Sequence, residues 1–220
     1  MYKKLMKMFV LFLLIGVIFM PAGANAFKME TRDQLLYDAI KFSPAELQAY
    51  LRDNIAIVAA GNRFAERHQR RSYSVEPYDT EIIYKQLVID LKSDRLDEFN
   101  TAHAFGVIAC FIAETISPHH YTTAQNFVPY DVSYDGYQKI GDVKSHITSL
   151  IDNYQISGRQ KVAPEITEML YNLAVNEIVD YWVSAWVSSG HEAGRFAGAG
   201  EKIDHRMVVI KSKKDEERVQ

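Results

Sequence analysis

The chain has 220 residues, with 25 lysines and arginines against 28 aspartates and glutamates, and one cysteine. This length fits one domain with a substantial core, and the slightly acidic balance argues against stable electrostatic binding of nucleic acid. A single cysteine cannot close an intramolecular disulfide, so a disulfide-stabilised scaffold is excluded.

The first 26 residues have the organisation of a secretory signal peptide. Three lysines in residues 1–7 precede an uninterrupted apolar run over residues 8–20, and Ala24-Asn25-Ala26 follows as a small-x-small cleavage site. The run is shorter than the about 20 apolar residues of a transmembrane helix. We therefore expect cleavage after Ala26, export to the periplasm or medium, and no transmembrane span after cleavage. An uncleaved N-terminal anchor is the alternative.

Cleavage at this point also changes the charge of the protein. It removes three lysines and no acidic residue, so the formal net charge changes from -3 to -6. The mature protein is therefore expected to be mildly acidic.

Polar residues mark the starts of the first helices of the mature chain. Thr31 is placed to cap the first helix. Ser43, Pro44 and Glu46 have the spacing of a capping box with proline at the first helical position. They predict a second helix that runs to Gly61.

A third helix is predicted from Pro77. A fourth is predicted from about Asp97 to Glu114, ending before Pro118, because proline disfavours helical backbone in the preceding residue. This fourth helix is apolar nearly all round, so it should be the central buried helix. Residues 127–136 are predicted to form an aromatic-rich loop.

Two further helices are predicted, over residues 137–154 and 164–189. The fold class is therefore an all-α bundle of five or six helices over residues 27–197, preceded by the signal peptide over residues 1–26. After residue 198 the chain is glycine-rich and then charged. Such a composition cannot bury much apolar area, so residues 198–220 are predicted to be disordered.

One face of the fourth helix carries groups that could bind a metal. His103, Cys110 and Glu114 fall within a narrow strip at about 100° per residue. A buried carboxylate must be paired, hydrogen-bonded or metal-bound, and facing helices of a bundle commonly build a metal centre. Two other interpretations stay open: Cys110 as a small buried hydrophobe, and Glu114 balanced by a histidine or by an arginine such as Arg63.

The sequence around this helix resembles a known family. Cys110, Glu114, Pro118 and His120 follow the layout H-x-x-x-D-x-x-x-P-x-H of the zinc-dependent phospholipases C and the single-strand-specific zinc nucleases. The segment from Gly136 to Asp142 resembles that family's later G-x-H-x-x-x-E/D motif, and residues 31–66 resemble its opening helix pair. The resemblance covers residues 27–186 and implies the family's helical bundle.

The resemblance implies metal-assisted attack of water on a phosphodiester of a phospholipid or nucleotide, with zinc or another divalent ion. Glu114 is the residue on which such catalysis depends most. The implied metal ligands are Cys110, Glu114, His120, Asp142, Glu66 and Gln138.

The departures from the family are as informative as the match. Arg32 stands where the family has an early histidine, and Phe27 stands where a tryptophan supplies backbone ligands. Arginine is not a metal ligand, and the amide oxygen of Gln138 favours harder ions than zinc. Two functions stay open: a metal-dependent phosphodiester hydrolase with an altered site, and a non-catalytic envelope binding or interaction module on the same fold.

Overall fold

The computed structural model describes residues 27, 29–64, 77–93, 97–116, 129, 131–154, 164–194 and 198–205. Helices take up 75% of these residues, and their only sheet has two strands, which confirms the predicted all-α class. The predicted signal peptide, Glu66 and His120 lie outside the described residues.

The described part of the chain contains seven helices and two short strands. In chain order they are α1 (Met29–Phe42), α2 (Ala45–Asp53), α3 (Ile55–Asn62), α4 (Pro77–Lys92), α5 (Glu98–Ile116), β1 (Asp131–Ser133), α6 (Val143–Tyr154), α7 (Pro164–Ser188) and β2 (Lys202–Asp204).

The first helices differ from their predicted limits. Thr31 lies inside α1 instead of capping it. Ser43 does not cap α2, because its hydroxyl donates back to the carbonyl of Ala39 at 2.9 Å. The single helix predicted up to Gly61 is broken at Asn54, whose side-chain amide donates to the carbonyl of Tyr50 at 3.1 Å. The backbone N–H of Asn54 donates to the same carbonyl at 3.2 Å.

Two glycines bring α3 and α5 into backbone contact. A Cβ on Gly61 would overlap the carbonyl oxygen of His103, and a Cβ on Gly106 would overlap that of Val58. Gly61 is therefore needed for close approach, one residue before the end of α3. The pair fixes α5 directly against α3.

Helix α5 lies in the middle of the bundle, as predicted. Asp97 precedes it and accepts the backbone N–H of Asn100 at 3.1 Å, which is N-terminal capping. Val107 is 3% exposed and Ile108 is fully buried. Among the described helices α5 alone is long and apolar enough to cross a membrane. Its side chains are packed against the other helices instead, and Trp182 of α7 donates to the carbonyl of Phe105 at 2.9 Å.

The helix predicted from residue 137 begins only at Val143. The chain before it runs irregularly along α7, because side chains of α7 accept its backbone N–H groups. Asp180 accepts from Gln138 and Ser184 accepts from Ile140, each at 2.9 Å. Periodicity within residues 137–142 could not reveal acceptors that lie about 40 residues away.

The predicted loop and the predicted disordered tail together form a small antiparallel sheet. Val132 of β1 is opposite Ile203 of β2, and Val132 is fully buried. Asn172 and Asn176 of α7 accept the backbone N–H groups of Ser133 and Asp135 at 2.8 Å and 3.0 Å. Residues 198–205 therefore belong to the fold, and the prediction of disorder was wrong for them.

Candidate functional site

Three groups from separate parts of the chain converge on the guanidinium of Arg32. Its Nε donates to the carbonyl oxygen of Phe27 at 3.0 Å, its Nη1 donates to Sγ of Cys110 at 3.6 Å, and its Nη2 donates to Oε1 of Glu114 at 2.8 Å. Arg32 is 2% exposed, Glu114 is 4% exposed and Cys110 is fully buried. We call these four residues the arginine cluster.

The helices explain why the four residues meet. Phe27 precedes α1 and Arg32 lies in its first turns, while Cys110 and Glu114 are one turn apart on α5 and face the same side. Asn62, at the end of α3, donates to the backbone carbonyl of Arg32 at 3.2 Å. Helix α5 thus contacts the guanidinium of Arg32, and α3 contacts its backbone.

Arg32 is the arginine that balances Glu114, and Arg63 has another partner. Arg63 donates to Asp33 at 2.6 Å, with side chains 46% and 25% exposed. A surface pair of this kind contributes little to stability. The Arg32–Glu114 pair is buried, and a guanidinium keeps its charge in proteins. The carboxylate therefore faces a permanent cation.

The described part of the cluster does not fit a metal ion. A divalent cation near Cys110 and Glu114 would lie beside the positive charge of Arg32, which would repel it. In the portion of the chain that the structure describes, no three His, Cys, Asp or Glu side chains are grouped so that they could hold a metal ion.

Two other proposed ligands, Asp142 and Gln138, are exposed. Asp142 is exposed and caps α6, accepting the backbone N–H of Ser145 at 3.1 Å and its hydroxyl at 2.8 Å. The hydrogen bond from that N–H lowers the pKa of Asp142 most, and the hydrogen bond from the hydroxyl lowers it further. The side chain of Gln138 is exposed. Glu66 and His120 fall outside the described residues, so their approach to Glu114 stays a prediction.

His103 lies among aromatic side chains. It stacks on Phe99 with ring centroids 6.0 Å apart and meets Phe64 edge-on at 6.1 Å. These contacts place His103 in a hydrophobic cluster on the α3 side of α5.

Sequence reasoning missed a second buried carboxylate, Asp38 of α1. Asp38 is fully buried and accepts the hydroxyl of Tyr171 at 2.8 Å, while Nε2 of His205 lies 3.0 Å from it. Nδ1 of His205 lies 2.6 Å from the carbonyl oxygen of Pro129, and a carbonyl only accepts, so Nδ1 donates. Both ring nitrogens are engaged, which makes His205 a structural link between the sheet and α1. The sequence signal for this residue is that Asp38 is charged and lies on the apolar face of α1.

A third polar group lies between α6 and α7. Burial raises the pKa of Asp180 from 3.8 to about 7; the N–H of Gln138 partly opposes this, and Glu177 and Asp135 raise the pKa further. His146 is 2.7 Å from Glu177, and this hydrogen bond raises the pKa of His146. Carboxyl groups are therefore concentrated along this side of α7.

No family model matches the chain, and neither a curated protein nor a solved structure is similar to it. The geometry of the arginine cluster is therefore the basis of the functional proposal.

Proposed function

We propose that the protein is an exported, non-catalytic binding or interaction module, related to the zinc-dependent phospholipases C and zinc nucleases that its sequence resembles. In this proposal Arg32 supplies the positive charge of the centre, and the function lies on the surface of the bundle.

The relationship is supported by which residues meet at the cluster. The resemblance assigns positions 27, 32, 110 and 114 to the surroundings of a metal. In this chain the residues at those positions lie side by side, although Arg32 and Glu114 are 82 residues apart in sequence. One contact, between the start of α1 and α5, brings the four positions together.

The absence of catalysis is supported by one contact, the 2.8 Å hydrogen bond from Arg32 to Glu114. The implied hydrolysis needs a metal to activate water and to balance the charge of the phosphate. The carboxylate on which this catalysis depends most is paired instead with a side chain that cannot lose its charge. We therefore expect Glu114 to contribute to stability and not to turnover.

An assay of phosphodiester hydrolysis tests this proposal. The mature protein is incubated with zinc and with bis(4-nitrophenyl) phosphate, phosphatidylcholine vesicles or single-stranded DNA, beside a Glu114→Gln variant. We expect equal background rates for the two proteins. Zinc-dependent hydrolysis that disappears in Glu114→Gln would contradict the proposal and favour the hydrolase.

Genetic complementation tests the positive half of the proposal. The double variant Arg32→Met/Glu114→Gln removes both charges while keeping similar volumes, and a buried ion pair can often be replaced in this way without loss of folding. If the function lies on the surface, the folded double variant should restore the phenotype of a deletion strain to wild type. Failure of a folded, exported double variant would show that the charges are needed for function itself.

A further inference from the structure

We infer that Asp135, Glu177 and Asp180 form a binding site for a primary alkylammonium group, which is the charged end of a polyamine or of a lysine side chain in another protein. The site lies between α7 and the irregular segment that joins β1 to α6, and it shares no residue with the arginine cluster. The inference rests on the proposed function, because it gives the interaction module a binding surface.

Hydrogen bonds to α7 fix the backbone on which the site is built. The N–H of Asp135 donates to Oδ1 of Asn176 at 3.0 Å, and the N–H of Gln138 donates to Oδ1 of Asp180 at 2.9 Å. Glu177 follows Asn176 directly and lies three residues before Asp180, so the two acids are neighbours on one face of the helix. The irregular segment therefore carries Asp135 to the part of α7 that bears Glu177 and Asp180.

The three carboxyl groups repel one another. Burial raises the pKa of Asp135 and of Asp180, and the charge of Glu177 raises both further. In the part of the chain that the structure describes, no lysine or arginine forms an ion pair with any of the three, and their ion-pair partner is His146, 2.7 Å from Glu177. A cation bound between the carboxylates would reduce this repulsion.

A buried hydroxyl at the same place is a second sign of a ligand. Tyr134 is 1% exposed and stacks on Phe42 with ring centroids 5.3 Å apart, and among the described residues its hydroxyl has no hydrogen-bond partner. Burial raises the pKa of Tyr134, and the charges of Asp180 and then of Asp135 raise it further, so the hydroxyl faces the same carboxyl groups. A buried polar group without a partner costs free energy. An ammonium group bound beside Asp180 would donate to this oxygen.

The spacing of the acceptors selects an ammonium group over a metal ion. Metal ligands must lie about 2.0–2.6 Å from the ion, and in the described ranges no three His, Cys, Asp or Glu side chains are grouped so that they could hold one. An ammonium nitrogen accepts a wider spacing, of about 2.7–3.2 Å, and has three N–H donors. Oδ1 of Asp180 and Oε2 of Glu177 already have hydrogen bonds, and the second oxygen of each carboxylate is left to accept from the ligand.

Isothermal titration calorimetry of the mature protein tests the site at about pH 8, above the pKa of about 7 of Asp180. The ligands are spermidine and a trilysine peptide with blocked ends, which carry the same charge. Their fully N-methylated analogues are the controls, because they keep the charge and lack N–H donors. We expect at least one ligand to bind and its analogue to bind more weakly by about tenfold or more. Tighter binding of spermidine identifies a polyamine site, and tighter binding of the peptide identifies a protein partner.

Variants then show which groups bind the ligand. Glu177→Gln and Asp180→Asn each remove one charge and keep an acceptor, and each should weaken binding by about tenfold, the loss of a charge-assisted hydrogen bond. Tyr134→Phe removes only the hydroxyl, so it should weaken binding without lowering the thermal midpoint. Glu168→Gln is the matched control, because Glu168 is an exposed carboxylate of α7 outside the cluster, and it should bind as wild type does.

The inference is overturned if neither ligand binds to the wild type, or if the methylated analogues bind equally well, a comparison that needs no variant. It is also overturned if folded Glu177→Gln and Asp180→Asn lose no more affinity than Glu168→Gln. Each of these results leaves the non-catalytic module standing. Zinc-dependent hydrolysis that disappears in Glu114→Gln would contradict the proposed function without changing the binding of spermidine.

Discussion

Arg32 and Glu114 form an ion pair of 2.8 Å in which the side chains are only 2% and 5% exposed. The pair joins α1 to α5, and the guanidinium also donates to the carbonyl of Phe27 and to Sγ of Cys110. The positive charge beside this carboxylate on the buried helix α5 therefore comes from a side chain of α1.

Removing either charge alone should destabilise the fold strongly. Arg32→Met and Glu114→Gln each remove one of the two charges of this buried pair, and breaking a buried ion pair in this way costs about 3–5 kcal/mol. The double variant should recover most of the loss. The free energies of unfolding of all four proteins in urea give the coupling between the two residues.

Arg63→Met is the control for the ion-pair experiment. It breaks the exposed pair with Asp33 and should cost at most about 1 kcal/mol. Additive losses in the Arg32/Glu114 double variant would show that the two side chains do not interact in solution.

Gly106→Ala should destabilise the contact between α3 and α5. The added methyl would overlap the carbonyl oxygen of Val58, and overpacking of this kind costs about 1–3 kcal/mol, more than alanine gains in helix propensity. Gly141→Ala is the matched control, because nothing lies within 4 Å of its Cβ. Equal thermal midpoints for the two variants would contradict the close packing of these helices.

Asp180 should make the protein less stable as pH rises. Its folded pKa is raised to about 7 from 3.8, so the folded state holds this proton longer than the unfolded state does. The free energy of unfolding should therefore fall as pH rises through this window. The raised pKa of His146 acts in the same direction, so its contribution must be subtracted.

Asp180→Asn separates the contribution of Asp180, because its amide oxygen still accepts from Gln138. As pH rises from about 4 to 7, the variant should become more stable relative to wild type, as measured by the free energy of unfolding. Asp142→Asn should behave oppositely, since the lowered pKa of Asp142 stabilises the fold above pH 3.8 and is lost on acidification. A difference for Asp180→Asn that does not change with pH would contradict the burial of its charge.

Processing after Ala26 is predicted from the first 26 residues. N-terminal sequencing of protein from the cell envelope or medium should read Phe-Lys-Met-Glu. An Ala24→Leu/Ala26→Leu variant should accumulate as precursor, because small residues are needed at the cleavage site. Intact Met1 in the membrane fraction of the wild type would contradict cleavage.

Sequence patterns predicted what depends on local periodicity. The lack of a polar face predicts the burial of α5. Proline at the first helical position predicts the start of α4 at Pro77. Strands β1 and β2 have three residues each, which is too short for alternation to identify.

The candidate site depended on contacts that no local pattern contains. Cys110 and Glu114 were recognised because their spacing is helical. The resemblance assigns Arg32 to the same surroundings, but no local pattern predicts its ion pair with Glu114, because the two residues are 82 apart in sequence. Local periodicity predicts Gln138 and Asp142 on one helix. It does not reveal the acceptors on α7 that keep residues 134–140 irregular, because those acceptors are remote in sequence.

Native mass spectrometry of the mature wild-type protein, equilibrated with zinc and then exchanged into volatile buffer, tests the central claim most directly. Glu114→Gln serves as the reference. Arg32 supplies the positive charge beside Cys110 and Glu114. We therefore expect the wild type, like the Glu114→Gln variant, to have the mass of the metal-free chain at each zinc concentration. One or more zinc ions bound to the wild type and lost in Glu114→Gln would contradict the account.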